Sequence, residues 1–256
     1  MINVSGDKSG LVQCKELDDG KVNIFLGDCL DVMENMDDNS VDMIMFDAPF
    51  YQNRFKFNKD NKIQKYIEWI ELVCKQFNRL LKDGGNICYI NAPKYIYHTA
   101  GIFFKYFQYR NDIPLIRKGS FRPAYMLGFQ HNLLMMFYKG DLKAKWGGAT
   151  DNHDRNFPTD VWDDITYRNG YRGKGKDNWH PEAIGIDLTS RCIQLNSIKG
   201  DVVLDCCSGS MTTAVASINL GRRCVCIEKD EHYYKIGTNR VNEHLQERLT
   251  DMFGFD

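Results

Sequence analysis

A tetrapeptide that could do chemistry, Asp47-Ala48-Pro49-Phe50, directly follows the apolar run Val41–Phe46, which predicts a buried β-strand. An acid, a small residue, a proline and an aromatic ring thus stand at the carboxyl end of a strand, where open α/β sheets place their ligands. The same residues are compatible with a structural role, in which Asp47 caps a turn, Pro49 shapes it and Phe50 fills a local core. The tetrapeptide alone does not decide between these interpretations.

The chemistry that suits these residues is activation of an amino group on an aromatic base. Such a nitrogen is a poor nucleophile because its lone pair is delocalised into the ring. If the carboxylate of Asp47 and the backbone carbonyl of Ala48 accept its hydrogens, they favour a tetrahedral nitrogen with a localised lone pair. Phe50 would stack on the base, which in a duplex must first swing out of the helix.

A second candidate site is a turn between a strand and a helix. The strand Asp201–Asp205 runs into CCSGSMTT (206–213), and a helix of small residues follows over Ala214–Leu220. Backbone N–H groups at residues 210–212 would hold a carboxylate or phosphate, and Gly209 would let the ligand approach the backbone closely.

Glu228 ends the next strand, Arg223–Glu228, about 20 residues after this turn, where nucleotide-binding folds use an acid to hold two ribose hydroxyls. The turn lacks the glycines of G-x-G-x-x-G, which disfavours the pyrophosphate of NAD. A nucleoside that carries a carboxylate fits better, and S-adenosylmethionine has both parts. The structural alternative for Glu228 is a solvated acid in the charge run that Lys229, Asp230 and Glu231 continue.

The elements that would position both sites alternate along the chain. We predict its clearest helix over Ile63–Leu81, with Asp83-Gly84-Gly85 as the stop. The alternation predicts an α/β fold with a mostly parallel sheet, to which residues 113–138 add an antiparallel pair. Strands, several of them apolar enough to be covered on both faces, are predicted at Val22–Leu26, Val41–Phe46, Asn86–Asn91, Leu133–Tyr138, Asp201–Asp205 and Arg223–Glu228.

Composition places the chain among ordinary globular proteins, with 256 residues, 43% of them hydrophobic, and a formal charge of -1. Nine cysteines without a C-x-x-C pair predict reduced thiols in a cytoplasm, and the scattered histidines lack metal-ligand spacing, so we expect no metal. Packing explains Cys206 and Cys207 better than a nucleophilic role, because the Pro-Cys motif of cytosine C5 chemistry is missing. The apolar stretches are too short to span a membrane, and we expect no signal peptide.

Because the net charge is close to zero, contact with nucleic acid would depend on local basic patches. One patch, in residues 53–66, interleaves basic side chains such as Arg54 and Lys56 with aromatic rings. The second, YRNGYRGKGK (167–176), lies in the irregular stretch 141–178, which we interpret as an insertion or small subdomain. A solvated, lysine-rich surface is the alternative for both patches.

Together these motifs resemble those of the amino-methyltransferases that modify exocyclic nitrogens of DNA bases. The catalytic tetrapeptide precedes the cofactor loop with a variable segment between them, which is similar to the beta-class order of many restriction-modification and phage enzymes. The resemblance implies a Rossmann-like S-adenosylmethionine-dependent methyltransferase fold with permuted motif order. It covers residues 21 to about 244 and is carried by LGDCLDVM (26–33), DAPF (47–50), WHP (179–181), VLDCCSGSMTT (203–213) and CIEKD (226–230).

The resemblance also implies a division of the chain and a role for each matching residue. The catalytic half would span 1–140, a target-recognition insertion 141–178 and the cofactor-binding half 179–256. In the catalytic half, Asp47 would hold the target amine in a pocket shaped by Ala48, Pro49 and Phe50. Cofactor contacts would come from Asp28 and Cys29 at the adenine edge, from Glu228 at the ribose hydroxyls, from Asp205, Ser208, Gly209, Ser210 and Thr212 at the methionine end, and from Cys207 and His180. DNA contacts would come from Arg54, Lys56, Arg168, Arg172, Lys174 and Lys176.

The chain departs from the family pattern at several positions. Ala48 and Phe50 replace the first proline and the tyrosine of D-P-P-Y, and Ile184-Gly185 replaces the Lys-Pro that commonly follows His-Pro. In the cofactor loop, Cys207 replaces an aromatic residue and Met211 replaces the second glycine. A side chain at position 211 is compatible with a bound ligand if it points away from that ligand.

The implied reaction is in-line attack of adenine N6 in double-stranded DNA on the sulfonium methyl, giving S-adenosylhomocysteine without a metal or a covalent enzyme intermediate. The opening aspartate favours adenine, since cytosine-N4 enzymes more often begin with serine, but cytosine N4 stays an alternative. Further alternatives are a non-catalytic nucleic-acid-binding relative, motivated by Met211, Ile184 and Gly185, and an NAD oxidoreductase. The short insertion also leaves open a homodimer whose second subunit supplies DNA contacts.

Overall fold

The chain forms one eight-stranded sheet in the computed structural model, which describes residues 13–49, 62–121, 127, 129–141, 159–162, 164–165, 167, 171–172, 179–180 and 183–254. The strands of this sheet are β1 (Gln13–Leu17), β2 (Val22–Leu26), β3 (Val41–Asp47), β4 (Leu81–Asn91), β5 (Gln108–Phe121), β6 (Phe129–Tyr138), β9 (Val202–Asp205) and β10 (Arg223–Glu228). Two short strands, β7 (Tyr171–Arg172) and β8 (Trp179–His180), pair separately.

The strand order is β1-β2-β10-β9-β3-β4-β6-β5. Its five central strands, β2, β10, β9, β3 and β4, run parallel to one another, and antiparallel neighbours extend both sides. The predicted antiparallel pair is confirmed as the long β5–β6 hairpin. Sequence reasoning missed β1, whose mixed polar and apolar residues pair with β2 at the edge of the sheet.

Helices cover both faces of the sheet, which explains why the central strands are almost uniformly apolar. One face carries α1 (Cys29–Glu34), α2 (Lys62–Leu80) and α3 (Pro93–Tyr106), whose apolar sides share a core with Phe46 and Leu204. The other face carries α4 (Ile186–Asn196), α5 (Thr212–Leu220) and α6 (Glu231–Phe253). No described helix has the length and apolar character that a membrane crossing requires.

The first long helix ends at Leu80, one residue before its predicted end. The predicted stop signal, Asp83-Gly84-Gly85, instead lies inside β4. Gly84 has φ +75, and its N–H donates to the Lys139 carbonyl at 2.7 Å, while the Lys139 N–H donates to Gly85 at 3.0 Å. These residues therefore continue the pairing of β4 beyond the end of β6, and this pairing satisfies their backbone groups better than a helix end would.

Three of the described residues within the irregular stretch 141–178 pack into the main core. Trp162, Ile165 and Tyr167 are buried against residues of α4 and the sheet. Arg191 of α4 binds Asp164 through two hydrogen bonds of 2.6 and 2.9 Å, and its guanidinium lies 5.3 Å from the centre of the Trp162 ring. These contacts fix part of the predicted insertion to the main core.

Candidate functional site

The tetrapeptide 47–50 and the loop 206–211 begin at the carboxyl ends of two neighbouring strands, β3 and β9, in the middle of the sheet. β3 pairs with β9 in parallel, with Met43 opposite Val203 and Ile44 opposite Leu204. From this pair the chain winds outward in opposite directions, from β3 through α2 to β4 and from β9 through α5 to β10. The carboxyl ends of β3 and β9 therefore flank the point where the winding reverses, which is where open α/β sheets form a ligand crevice.

The loop after β9 is fastened to the end of β10. The Ser208 hydroxyl donates to the Asp205 carbonyl at 2.7 Å and accepts from the Ile227 N–H at 3.0 Å, and the Ser208 N–H donates to the Ile227 carbonyl at 3.0 Å. Gly209 has φ +50, a conformation that glycine adopts without strain. The loop is thus rigidly placed before α5 begins at Thr212.

Not all backbone donors of this loop lie where the sequence analysis expected them. Of the 210–212 group, the Met211 N–H donates to the Ser208 carbonyl at 2.8 Å, which closes the turn instead of facing a ligand. The Gly209 N–H donates to Glu228 at 2.8 Å. Both N–H groups hold the loop together, so Ser210 and Thr212 are the members of the predicted anion site whose backbone donors suit a ligand best.

Asp205 lies inside the loop rather than on its surface. The side chain is 5% exposed, and its carboxylate accepts from the Cys207 N–H at 3.0 Å and from the Thr213 hydroxyl at 2.5 Å. Burial raises the pKa of Asp205 to about 6, a rise that these two hydrogen bonds oppose. Asp205 thus shapes the loop through its neighbours.

Glu228 is buried at the end of β10, with 1% of its surface exposed. One carboxylate oxygen accepts from the Gly209 N–H and the other from the Asp230 N–H, each at 2.8 Å. The alternative interpretation of Glu228 as a solvated acid is therefore wrong, although Lys229, Asp230 and Glu231 after it are exposed. Glu228 joins the end of β10 to the loop after β9.

Met211, the departure in the loop, directs its side chain into the core. The residue has φ 60 and ψ 36, a left-handed conformation, and its side chain is fully buried. It packs towards Gly237 of α6, where an added Cβ would lie 2.3 Å from the Met211 Cγ. This orientation meets the condition that a side chain at position 211 should point away from a ligand.

Arg240 of α6, which sequence reasoning missed, forms hydrogen bonds with the same loop. Its Nη1 donates to the Ser210 carbonyl at 2.9 Å, the Ser210 hydroxyl at 3.3 Å and the Thr212 hydroxyl at 3.0 Å. Neither motif spacing nor charge patterning marks Arg240, because it lies 28 residues from Thr212 in sequence.

Asp28 and Lys229 form a further corner of the site. Asp28 caps α1 by accepting from the Leu30 N–H at 3.0 Å, and its other oxygen accepts from the Lys229 ammonium at 2.7 Å. The Gly27 N–H donates to the Glu228 carbonyl at 3.0 Å, which places the turn after β2 beside the end of β10. The predicted adenine-edge residues thus lie at the same edge of the sheet as the loop.

Three thiols meet beside this corner. The sulfur atoms of Cys29, Cys206 and Cys207 all lie within 4.8 Å of one another. Hydrogen bonds from the thiols of Cys206 and Cys207 lower the pKa of Cys29 to about 5, whereas burial raises the pKa of Cys206. The structure thus brings Cys29 to two cysteines that lie about 180 positions later in the sequence.

The predicted catalytic tetrapeptide begins where β3 ends. Asp47 is the last residue of the strand and is partly buried, and the Ala48 N–H donates to the Ile90 carbonyl at 3.3 Å. This bond extends the pairing with β4 and fixes the direction of the backbone at Ala48. Pro49 is partly buried, and Phe50 lies outside the described residues.

A buried polar network that the sequence analysis did not anticipate adjoins Ile90. Asn91, fully buried at the end of β4, donates to the hydroxyls of Tyr66 at 2.7 Å and Tyr89 at 3.1 Å. Its side-chain oxygen accepts from the Ala92 N–H at 2.8 Å. These bonds connect the end of β4 to α2 and stiffen the sheet edge next to the tetrapeptide.

The predicted DNA contacts fall mostly outside the described residues. This applies to Arg54, Lys56, Arg168, Lys174 and Lys176. Arg172 and His180 are described only as backbone, in the pairing of β7 with β8, where Tyr171 is opposite His180. Their roles stay predictions.

Comparison with known protein families gives a match over most of the chain. The family model described as DNA methylase, of the N6/N4 type, matches residues 41–239. A type II methyltransferase of Moraxella bovis, M2.MboI, is 27% identical in an alignment 260 residues long that covers 89% of this chain and 90% of that protein. The DNA adenine methyltransferase YhdJ of Escherichia coli strain K12 is 27% identical in an alignment 248 residues long that covers 86% of this chain and 82% of YhdJ.

Solved structures share the fold at lower identity. The cytosine-N4-specific PvuII DNA methyltransferase aligns with a TM-score of 0.73 and 16% identity, over 88% of this chain and 91% of that one. The M1.HpyAVI–SAM complex aligns with a TM-score of 0.64 and 19% identity, over 86% and 99% of the two chains. The predicted Rossmann-like methyltransferase fold is confirmed.

Proposed function

The chain belongs to the N6/N4 family of DNA methylases, and from this premise we propose that it transfers a methyl group from S-adenosylmethionine to the N6 amine of adenine in double-stranded DNA. The observation that carries the proposal is the adjacency of β3 and β9. It puts Asp47 on one side of the crevice and the loop before α5 on the other.

The geometry of the crevice fits the two polar ends of the methyl donor. The N-terminus of α5, with Ser210 and Thr212, suits the methionine carboxylate, because a helix N-terminus favours an anion. Glu228 ends β10 beside this loop, where a carboxylate suits the ribose hydroxyls. Met211 leaves the crevice clear because its side chain lies in the core. When bound, the donor supplies the electrophilic methyl group.

The tetrapeptide supplies the acceptors for the target amine. The Asp47 carboxylate and the Ala48 carbonyl would accept its two hydrogens, which localises the nitrogen lone pair for attack on the methyl group. The bond between Ala48 and Ile90 supports this role because it fixes the backbone that carries the carbonyl.

Two observations favour adenine over cytosine. The tetrapeptide opens with Asp47, and YhdJ is named as a DNA adenine methyltransferase. The likeness to the PvuII cytosine-N4 enzyme keeps cytosine N4 as the second candidate. We further propose that the basic patches bind the DNA backbone and that the enzyme acts in the cytoplasm of a bacterial host.

Methyl transfer from labelled S-adenosylmethionine to unmethylated DNA tests the proposal. Asp47→Ala should lower kcat by more than about 100-fold, the size of effect that a positioned proton acceptor supplies, while the Kd for the donor changes less than about twofold. Asp37→Ala, which removes an exposed acid after α1, is the control and should keep the native rate.

Three results would contradict the proposal in different ways. Donor binding without any methyl transfer would favour a non-catalytic DNA-binding relative. No donor binding at all would reject the assignment of the cofactor loop. Methyl transfer that Asp47→Ala leaves intact would reject the role of Asp47.

A further inference from the structure

The cluster of Cys29, Cys206 and Cys207 brings together three side chains that can each bind a metal ion. Among the described residues, it is the one group of three metal-ligating side chains whose ligand atoms all lie within 4.8 Å of one another. Cysteine contacts elsewhere involve only pairs, such as Cys224 and Cys226, whose sulfur atoms are 3.3 Å apart.

The spacing of the three sulfur atoms suits a soft metal ion. In a tetrahedral thiolate site with zinc–sulfur bonds of about 2.3 Å, neighbouring sulfur atoms lie about 3.8 Å apart. Sulfur atoms already within 4.8 Å therefore need to move by no more than about 1 Å. We propose that Cys29, Cys206 and Cys207 form a binding site for a thiophilic divalent cation such as Zn²⁺.

Formation of the site is an acid–base step without a redox change. Each cysteine binds the metal as a thiolate, so every thiol of the cluster that is still protonated gives its proton to water when the cation enters. Three thiolates and a divalent cation carry a net charge of -1, and the neutral ion pair of Lys229 with Asp28, 2.7 Å apart, lies beside the helix that Cys29 begins. A fourth coordination position would stay open to water.

Two thiols of the cluster are buried and the third is partly exposed. Cys29 is 7% exposed and Cys206 is 3% exposed, whereas Cys207 is partly exposed. A cation can therefore reach the cluster at Cys207 and be enclosed by the two buried thiols.

The position of the cluster gives cation binding a consequence. Cys206 and Cys207 begin the loop after β9, and the Cys207 N–H donates to Asp205. A cation held there would alter the loop and occupy the edge predicted for the adenine of the methyl donor. Cation and donor should therefore exclude each other, an expectation that rests on the proposed function.

Cadmium binding to the reduced, purified protein tests the site itself. We expect one Cd²⁺ per chain, an ultraviolet charge-transfer band of cadmium thiolate, and three sulfur neighbours in the X-ray absorption spectrum of the native protein. Cys29→Ala and Cys207→Ala should each weaken binding by more than about tenfold, because even residues behind a metal ligand cost 10–100-fold when removed. Cys14→Ser, at an exposed thiol, and Cys192→Ala, at a buried thiol elsewhere, should leave binding unchanged.

Three results would overturn the site, and two of them need only the native protein. Fewer than three sulfur neighbours in the loaded native protein, or no band at one equivalent of Cd²⁺, would overturn the site. A band that Cys29→Ala and Cys207→Ala leave undiminished would overturn it as well.

The exclusion of the methyl donor is tested separately, by measuring S-adenosylmethionine binding with and without one equivalent of Zn²⁺. We expect the cation to weaken donor binding by at least about tenfold. Unchanged donor binding in a loaded protein would refute the exclusion. If the metal-free protein binds no donor, the proposed function fails, while the cadmium result still decides the site.

Discussion

Asp205 is a buried acid whose carboxylate accepts hydrogen bonds from the loop that follows β9 and from the first turn of α5. In the unfolded chain its pKa is near 4, and burial raises the pKa to about 6 in the folded protein. Between these values the folded state binds more protons than the unfolded state. The stability that Asp205 contributes is therefore present at low pH and decreases as the pH rises from about 4 to about 6.

Substitution by asparagine should remove this pH dependence. Asp205→Asn keeps an acceptor for the Cys207 N–H and offers its amide to the Thr213 hydroxyl, but it cannot ionise. Urea unfolding at several pH values should show the native protein losing about 3 kcal/mol relative to the variant between pH 4 and pH 6, and nothing more above that. A difference that does not change with pH would show that Asp205 titrates normally.

At the residue scale, the sequence predicted those residues of the candidate site that lie within one continuous motif. Asp205, Ser208, Gly209 and Glu228 could be found because a strand, a tight turn and a second strand place them at fixed separations. Arg240 could not be found in this way. It reaches the loop only because α6 crosses behind it, and that crossing depends on tertiary packing.

At the element scale, the start of α5 depends on the fit between Met211 and Gly237. A Cβ on Gly237 would lie 2.3 Å from the Met211 Cγ, so Gly237→Ala should destabilise the native protein by about 1–3 kcal/mol through overpacking. Met211→Gly should relieve the left-handed strain but leave a cavity, at a net cost of about 2 kcal/mol or more.

The double variant Met211→Gly/Gly237→Ala shows whether the two substitutions destabilise the protein independently or through their mutual contact. In the Met211→Gly background, the alanine at 237 meets no methionine side chain, so its cost should fall by at least about 1 kcal/mol. Chemical denaturation of the four proteins of the cycle measures this coupling. Additive costs would mean that the two elements do not depend on this contact.

Arg240 tests whether α6 supports the cofactor loop. Arg240→Ala removes the donors to Ser210 and Thr212, and we expect the Kd for S-adenosylmethionine to rise about tenfold, the equivalent of one or two lost hydrogen bonds. Arg248→Ala is the matched control, because Arg248 lies on the same helix and donates to Ile218, outside the loop. Equal effects of both variants on the Kd would contradict a specific role for Arg240.

The sequence predicted the elements themselves better than their ends. The apolar runs of β2, β3, β9 and β10 are covered on both faces, and this burial is visible in composition. The end of α2 was predicted to within one residue, but the glycines after it were misread as its stop signal, because they serve a strand pairing with Lys139, a contact between distant residues. β1 was missed because an edge strand with exposed side chains has no apolar signal.

At the scale of the whole molecule, ligand binding should stabilise the fold that forms the crevice. At 100 times its Kd, a ligand adds about 2.7 kcal/mol, which for a chain of this size raises Tm by roughly 5–10 °C. Differential scanning fluorimetry should show this shift with S-adenosylmethionine and none with NAD. A shift with NAD alone would favour the oxidoreductase alternative.

The measurement that tests the account most directly is nucleoside mass spectrometry of unmodified DNA, incubated with the purified protein and S-adenosylmethionine. We predict N6-methyladenine with the native protein and none with Asp47→Ala. N4-methylcytosine would keep the mechanism and reject adenine as the target. No methylated base on DNA of varied sequence would contradict the proposal that this crevice transfers methyl groups to DNA.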